Sequence, residues 1–223
     1  MKISLSTRRD RGLTLVEVLV VFVVAMVLII IVLAPMYGSR PTRAPRIQCV
    51  NNLKQTGLAF RIWEGDNSNS YPQALSETNG GSMEFTSGPT AFRHFQLMSN
   101  ELSTPKVLFC PTETDRDRSV GTNFVHFNNS NISFFVGIVS NDSNPSLILA
   151  GDHNITNGMS VRNGLLELTT NNLTGWTTEM HNKVGNVALA DGSVQQVSIL
   201  GLQNTVANTG LATNRIQMPI LGP

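Results

Sequence analysis

Histidine and carboxylate side chains suit divalent cations, and this chain offers two such groupings late in its sequence. One is Asp152-His153, within GDHN. The other is His181, followed after nine residues by Asp191-Gly192. His181, Asp191, Asp152 and His153 are therefore candidate metal ligands. A structural reading of the same residues takes precedence: Asp191-Gly192 carries turn chemistry, with glycine supplying a positive φ, and His181 is placed to cap that turn by a hydrogen bond. On this reading the chain holds no metal. Cys49 and Cys110, the two cysteines, are too few for a disulfide scaffold or a four-cysteine zinc site. They are either two buried thiols or a disulfide, which an oxidising compartment permits. The disulfide is the favoured alternative. It would close a loop of about 60 residues and stabilise the fold by ~2–4 kcal/mol. The sequence lacks G-x-S-x-G, a phosphate loop and H-E-x-x-H, so neither an enzyme nor a cofactor is expected.

A third chemical feature is a charge in an unfavourable place. Leu13 to Leu33 reads LTLVEVLVVFVVAMVLIIIVL, with Glu17 as its only charge. As a helix this run spans ~32 Å at 1.5 Å per residue, about the thickness of a bilayer's hydrocarbon. A carboxylate inside such a helix costs ~2.5–3.5 kcal/mol at the bilayer centre and less near the ends, and marks a functional position by default. Before the run, residues 1–12 hold Lys2, Arg8, Arg9 and Arg11 against Asp10, a net of +3. The whole chain of 223 residues carries +1. No basic face is left to neutralise phosphates, so no nucleic-acid partner is expected. By the positive-inside rule the basic flank stays cytoplasmic and the remainder lies outside. A secretory signal peptide would have a shorter apolar region and a small-x-small cleavage site; Ala34-Pro35-Met36 is a poor one.

Gly12-Leu13-Thr14-Leu15-Val16-Glu17, after a short basic leader and before the apolar run, resembles the processing site of type IV prepilins and type II secretion pseudopilins. The resemblance implies cleavage after Gly12 by a prepilin peptidase, N-methylation of the new amino terminus at Leu13, and Glu17 as the fifth residue of the processed chain. The family usually has phenylalanine where this chain has Leu13. Cleavage would free an amine four residues before Glu17, and in a filament the amine of one subunit can neutralise Glu17 of its neighbour. Two further stretches are similar to a pilin-like group abundant in planctomycetes and verrucomicrobia: Cys49 to Ala59 (CVNNLKQTGLA), and the H-x9-D-G spacing of His181, Asp191 and Gly192, called processing-associated in that group.

The expected organisation follows. Residues 1–12 form a cleaved leader, 13–34 a transmembrane and assembly helix, 35–45 a linker rich in proline, and 46–223 an extracytoplasmic α+β pilin-like domain. In that domain a helix from Arg46 to about Trp63–Gly65, with Val50, Leu53, Gly57 and Phe60 on one face, packs on an antiparallel sheet. A short helix is expected over 91–101 with Thr90 as its N-cap. Strands are expected at Val107–Phe109, Ile132–Val139, Leu147–Ala150, Leu165–Thr169, Gly185–Ala190 and Val194–Ile199, the last two joined by a hairpin at Asp191-Gly192-Ser193. The polar tail 201–223 yields no element. The function expected is that of a subunit of a type IV pilus or a type II secretion pseudopilus. Its partners would be other pilin-like subunits and the secretion or pilus assembly machinery. It would sit in the bacterial inner membrane as a single-pass protein, its C-terminal domain periplasmic or on an extracellular filament. The alternative is an anchored or tip binding module that contacts polysaccharide or envelope partners.

Overall fold

The structure, a computed structural model, describes residues 14–37, 43–139, 141, 143–170 and 173–221, with the backbone alone for 31–37 and 43. The leader residues, Gly12, Leu13 and the glycine-proline stretch 38–42 lie outside the described residues. The chain divides into two units, 1–41 and 42–223.

The first unit contains α1, Leu15–Tyr37. Its sequence is apolar on every face, the pattern of a helix that is covered all round. Yet every described side chain from Thr14 to Ile30 is exposed, with Leu15 at 83% and Phe22 at 72%. Among the described residues no helix is long and apolar enough to cross a membrane; the described side chains of α1 stop at Ile30, short of the end of the apolar run.

The second unit begins with α2, Arg43–Asp66, three residues earlier than the apolar spacing suggests. Pro45 falls in its first turn, where the backbone N–H has no helical partner to lose. The buried stripe of α2 is Cys49, Leu53, Thr56, Phe60 and Trp63, a 3-to-4-residue repeat that lays one side on a sheet. Val50 sits at the margin, half-buried.

That sheet is antiparallel with strand order β4-β8-β1-β2-β6-β7: β1 Phe134–Gly137, β2 Ile148–Asp152, β4 Leu165–Leu168, β6 Val184–Leu189, β7 Val194–Ser198 and β8 Asn214–Gln217. Two short strands, β3 Ile155–Thr156 and β5 Gly175–Trp176, pair separately. The alternation of side chains across a strand divides the core in two. Phe134, Val136, Ala150 and Ala188 meet α2. Phe135, Ile148, Val187 and Leu189 point to the other face, where Leu202 and Val206 of α5 (Ile199–Asn208) cover them. The arrangement is α+β and pilin-like: an N-terminal helix, then a helix and an antiparallel sheet.

Several local expectations need correction. Residues Pro105–Leu108 form a 3-10 turn, not a strand, started by Pro105 and by Thr104, whose hydroxyl accepts from the Lys106 N–H. The helix expected over 91–101 is two, α3 Phe92–Leu97 and α4 Ser99–Leu102, interrupted at Met98. Thr90 does not cap it; its hydroxyl donates to the carbonyls of Phe85 and Ser87. The tail holds α5 and β8, and β8 lies inside the sheet between β4 and β1.

A buried imidazole links α3 to β8. His94 is fully buried, with Ser82 Oγ 2.7 Å from Nδ1 and Gln217 Oε1 2.7 Å from Nε2. The Gln217 oxygen can only accept, so Nε2 carries the proton and Ser82 donates to Nδ1. Burial pushes the His94 pKa down to about 4, against smaller upward effects of Gln217 and Phe85. The unfolded chain therefore takes up a proton near pH 6.5 that the folded chain refuses until about pH 4. This contribution to stability is complete above pH 6.5 and is lost as pH falls toward 4, reaching about 3 kcal/mol at 1.36 kcal/mol per pKa unit. We expect the NMR ring-proton shifts of His94 to titrate near pH 4 and the melting temperature to fall in the same window; titration near pH 6.5 contradicts this.

Candidate functional site

The first site is the start of α1. Thr14 precedes the helix, and Glu17 is its third residue. The Glu17 N–H donates to Thr14 Oγ1 at 3.3 Å, while Thr14 N–H and Oγ1–H donate to Glu17 Oε2 at 3.2 and 3.3 Å. This reciprocal pair is a capping box, which satisfies helix N–H groups that have no partner in the helix itself. The negative charge also faces the positive end of the helix dipole. Glu17 is thus more than an isolated carboxylate in an apolar run: it closes the helix end nearest Gly12 and Leu13. The pattern Thr14-x-x-Glu17 before an apolar run is visible in the sequence, and reading Glu17 only as a buried-charge problem misses it. Both bonds that the Glu17 carboxylate accepts fall on Oε2, which leaves Oε1 without a hydrogen bond among the described residues.

The second site is buried in the other unit, where four segments converge. Cys49 comes from the first turns of α2 and Cys110 from the end of the 3-10 turn at 105–108. Their sulfurs are bonded, with Cα atoms 4.8 Å apart. Asn52, one turn along α2, donates to the Phe109 carbonyl at 2.8 Å and fixes the same approach. Asp152 ends β2 on the face that carries Ala150 and looks toward α2. It is wholly buried, and its Oδ1 lies 3.6 Å from Cys49 Sγ. Its Oδ2 accepts from the backbone N–H of Asn186 at 2.7 Å and from Asn186 Nδ2 at 2.8 Å.

His181 enters from the loop before β6. That loop holds Met180, Asn182 and Lys183 at φ of 54°, 54° and 62°, a left-handed conformation that non-glycine residues adopt at a cost. The turns bracket His181 and drive its ring into the interior, where it is wholly buried. Nε2 lies 3.3 Å from Asp152 Oδ2 and 3.5 Å from Cys110 Sγ, and Nδ1 lies 3.2 Å from Thr112 Oγ1. Burial pushes the Asp152 pKa up to about 8, against the hydrogen bonds of Asn186. Burial, followed by the positive charge of Arg46, pushes His181 down to about 4. Both shifts favour a pair that shares one proton with no net charge, the state that costs least in an apolar interior.

The structure thus brings His181 and Asp152 together, with both cysteines, and separates the other two metal candidates from them. Asp191 is exposed at the opposite end of β6, about 20 Å away at ~3.3 Å per residue. There its Oδ1 accepts from the Ser193 N–H at 2.8 Å, and Gly192 takes φ 83°. His181 therefore does not cap that hairpin; the length of β6 keeps it away. His153, next to Asp152 but on the other face, pairs with Glu113 Oε2 at 2.8 Å. Burial raises the Glu113 pKa, but the hydrogen bond and charge of His153, with the Ser133 hydroxyl, outweigh it and hold the carboxyl down to about 2. Thr112 and Asn186, which contact His181 and Asp152, have no sequence signal that marks them.

Residues 7–33 match the model of the prokaryotic N-terminal methylation motif. This match supports a type IV pilin-like protein and a pilin- or pseudopilin-type processed subunit, and the motif belongs to structural proteins rather than to an enzyme family. It implies a prepilin peptidase and other pilin subunits as partners. No curated protein and no solved structure matches the chain.

Asn186 carries the two hydrogen bonds that hold Asp152, one of them through its side chain. We expect Asn186→Leu, of similar volume, to lower unfolding stability by about 1–3 kcal/mol, because a buried acceptor loses one of its two donors. Gln195→Ala, at an exposed position of the neighbouring strand, should change it by less than about 0.5 kcal/mol. Equal effects in denaturant titrations contradict the assignment.

Proposed function

We propose that the chain is a prepilin-like precursor, cut after Gly12, methylated at Leu13, held in the inner membrane by Leu13–Leu33, and assembled through α1 into a type IV pilus or type II secretion pseudopilus. The observation that carries this reading is the match of the methylation motif to residues 7–33. The exposed apolar surface of α1 supports it. Such a surface is unfavourable in water by ~25 cal/mol per Å², and lipid before assembly and neighbouring helices after it are the two covers an assembling subunit would use.

Glu17 gives assembly its register. Cleavage leaves a positive amine on Leu13. In a filament the amine of one subunit meets Glu17 Oε1 of the next, while Oε2 stays engaged with Thr14. A pair of opposite charges shielded from water is far stronger than the same pair in bulk solvent, and an unpaired Glu17 would be correspondingly costly. The basic leader remains cytoplasmic until cleavage, and the 42–223 unit faces the periplasm or the filament surface.

Two substitutions separate the capping role of Glu17 from its charge. Glu17→Gln keeps an oxygen acceptor for Thr14 and loses the charge; Glu17→Leu loses both. Both variants should insert into membranes and be cleaved, because the apolar run and Gly12 are intact. Both should enter sheared filaments about tenfold less than wild type, equivalent to about 1.4 kcal/mol. If Glu17→Gln assembles like wild type, the charge is not the assembly determinant. If wild type is found in membranes but in no filament, the anchored binding module replaces the filament subunit.

A further inference from the structure

The buried cluster has a property that a disulfide alone does not need. A disulfide is apolar and packs well among apolar side chains, yet here it is flanked by a carboxyl and an imidazole, both fully buried. Among the described residues, the only ion-pair partner of Asp152 is His181. Burying two ionisable groups costs more than burying apolar ones of the same volume. Two sulfurs, one imidazole and one carboxylate are, however, the donor set of a zinc ion.

The distances agree with that chemistry. The donor atoms of Cys49, Cys110 and His181 all lie within 4.8 Å of one another. Tetrahedral zinc with Zn–S of about 2.3 Å and Zn–N and Zn–O of about 2.0–2.1 Å sets sulfur and nitrogen about 3.5 Å apart, sulfur and oxygen about 3.5 Å, and nitrogen and oxygen about 3.3 Å. Cys110 Sγ lies 3.5 Å from His181 Nε2, and the Asp152 carboxyl borders the group through both oxygens, Oδ1 at 3.6 Å from Cys49 Sγ and Oδ2 at 3.3 Å from His181 Nε2. Two movements complete the tetrahedron: the sulfurs part to about 3.8 Å, and the Asp152 carboxyl turns to bring one oxygen to the metal.

The residues around the donors are placed as outer-shell partners of a metal site are placed. Both donors from Asn186 fall on Asp152 Oδ2, which leaves Oδ1 directed at Cys49. Thr112 Oγ1 is nearer to His181 Nδ1, at 3.2 Å, than to Nε2, at 3.4 Å, so it can hold the ring with Nε2 toward the sulfurs.

We propose that, once Cys49 and Cys110 are reduced, they form with His181 and Asp152 a closed tetrahedral site for zinc, and that this site and the disulfide exclude each other. Opening requires a thiol reductant: two R–SH exchange with the disulfide to give two cysteine thiols and R–S–S–R. Zinc then displaces the two thiol protons to solvent and takes both thiolates. His181 supplies a neutral nitrogen and Asp152 a carboxylate oxygen. The four ligands come from α2, the end of the 3-10 turn, the end of β2 and the loop before β6, so either cross-link ties α2 to the sheet.

The test uses the full chain in detergent micelles, with cobalt(II) as a spectroscopic probe and zinc as competitor. One sample is reduced with dithiothreitol and desalted under nitrogen; the other stays oxidised. The expected result is one cobalt per reduced chain, with the d–d absorption of tetrahedral cobalt and a thiolate-to-cobalt charge-transfer band, both abolished by one equivalent of zinc. The oxidised chain should show neither band. His181→Ala and Asp152→Ala should each weaken binding by more than the roughly 10–100-fold that follows loss of an outer-shell partner. A reduced wild-type chain with no charge-transfer band overturns the proposal, as does a folded His181→Ala chain that binds cobalt as wild type does. Circular dichroism checks folding of the variants. Should they not fold, the reduced and oxidised wild-type spectra decide alone. If reduction unfolds the metal-free chain, zinc must restore its structure, and failure to restore it also overturns the proposal.

Discussion

The second unit depends on one buried junction, the meeting of Cys49, Cys110, Asp152 and His181 with Asn186 beneath them. The helix α2 lies on the sheet through an apolar stripe, but apolar contact is non-directional and would tolerate sliding. The junction removes that freedom. Cys49 is bonded to the segment after the 3-10 turn, and Asp152 is held by both donors of Asn186. His181 reaches the same point through a loop with three left-handed residues. Gly151, next to Asp152, shows how close the packing is: a Cβ there would lie 2.6 Å from Phe135 Cζ and 2.8 Å from the Asn186 carbonyl. The backbone at the end of β2 therefore has little room to move.

The first unit poses the opposite problem. Its helix is closed at the start by Thr14 and Glu17, yet its apolar side chains are exposed. A protein that stabilises one domain internally and leaves a long apolar helix to be covered from outside suits a subunit whose helix is its means of assembly. The methylation motif over residues 7–33 points the same way. In the function proposed above, Glu17 would serve both demands: one oxygen ends the helix, and the other would meet a neighbour.

Legibility in the sequence followed the range of the interactions. Features set by near neighbours could be read: the apolar run, the turn chemistry of Asp191-Gly192-Ser193, and the two strands that it joins. The stripe from Leu53 to Phe60 was also clear. Where a stronger local signal or tertiary packing overrides the pattern, the sequence misleads. Val107 to Phe109 looks like a strand, but Pro105 and Thr104 wind it into a 3-10 turn. The tail looks polar, yet Leu202 and Val206 are one helical turn apart and fully buried, and Ile216 is fully buried in the second core. The buried junction was the least legible part. Its members are separated by 61, 42 and 29 residues along the chain, and the spacing from His181 to Asp191 draws attention to a pair that the strand between them keeps apart. Only the fold brings His181 to Asp152.

The most direct measurement of what this chain is for is the intact mass and N-terminal peptide of the mature protein, isolated from bacterial membranes that contain an active prepilin peptidase. Processing as a prepilin-like subunit predicts a chain that begins at Leu13, with one methyl group on its amine. A mature protein that still begins at Met1 under those conditions would contradict it.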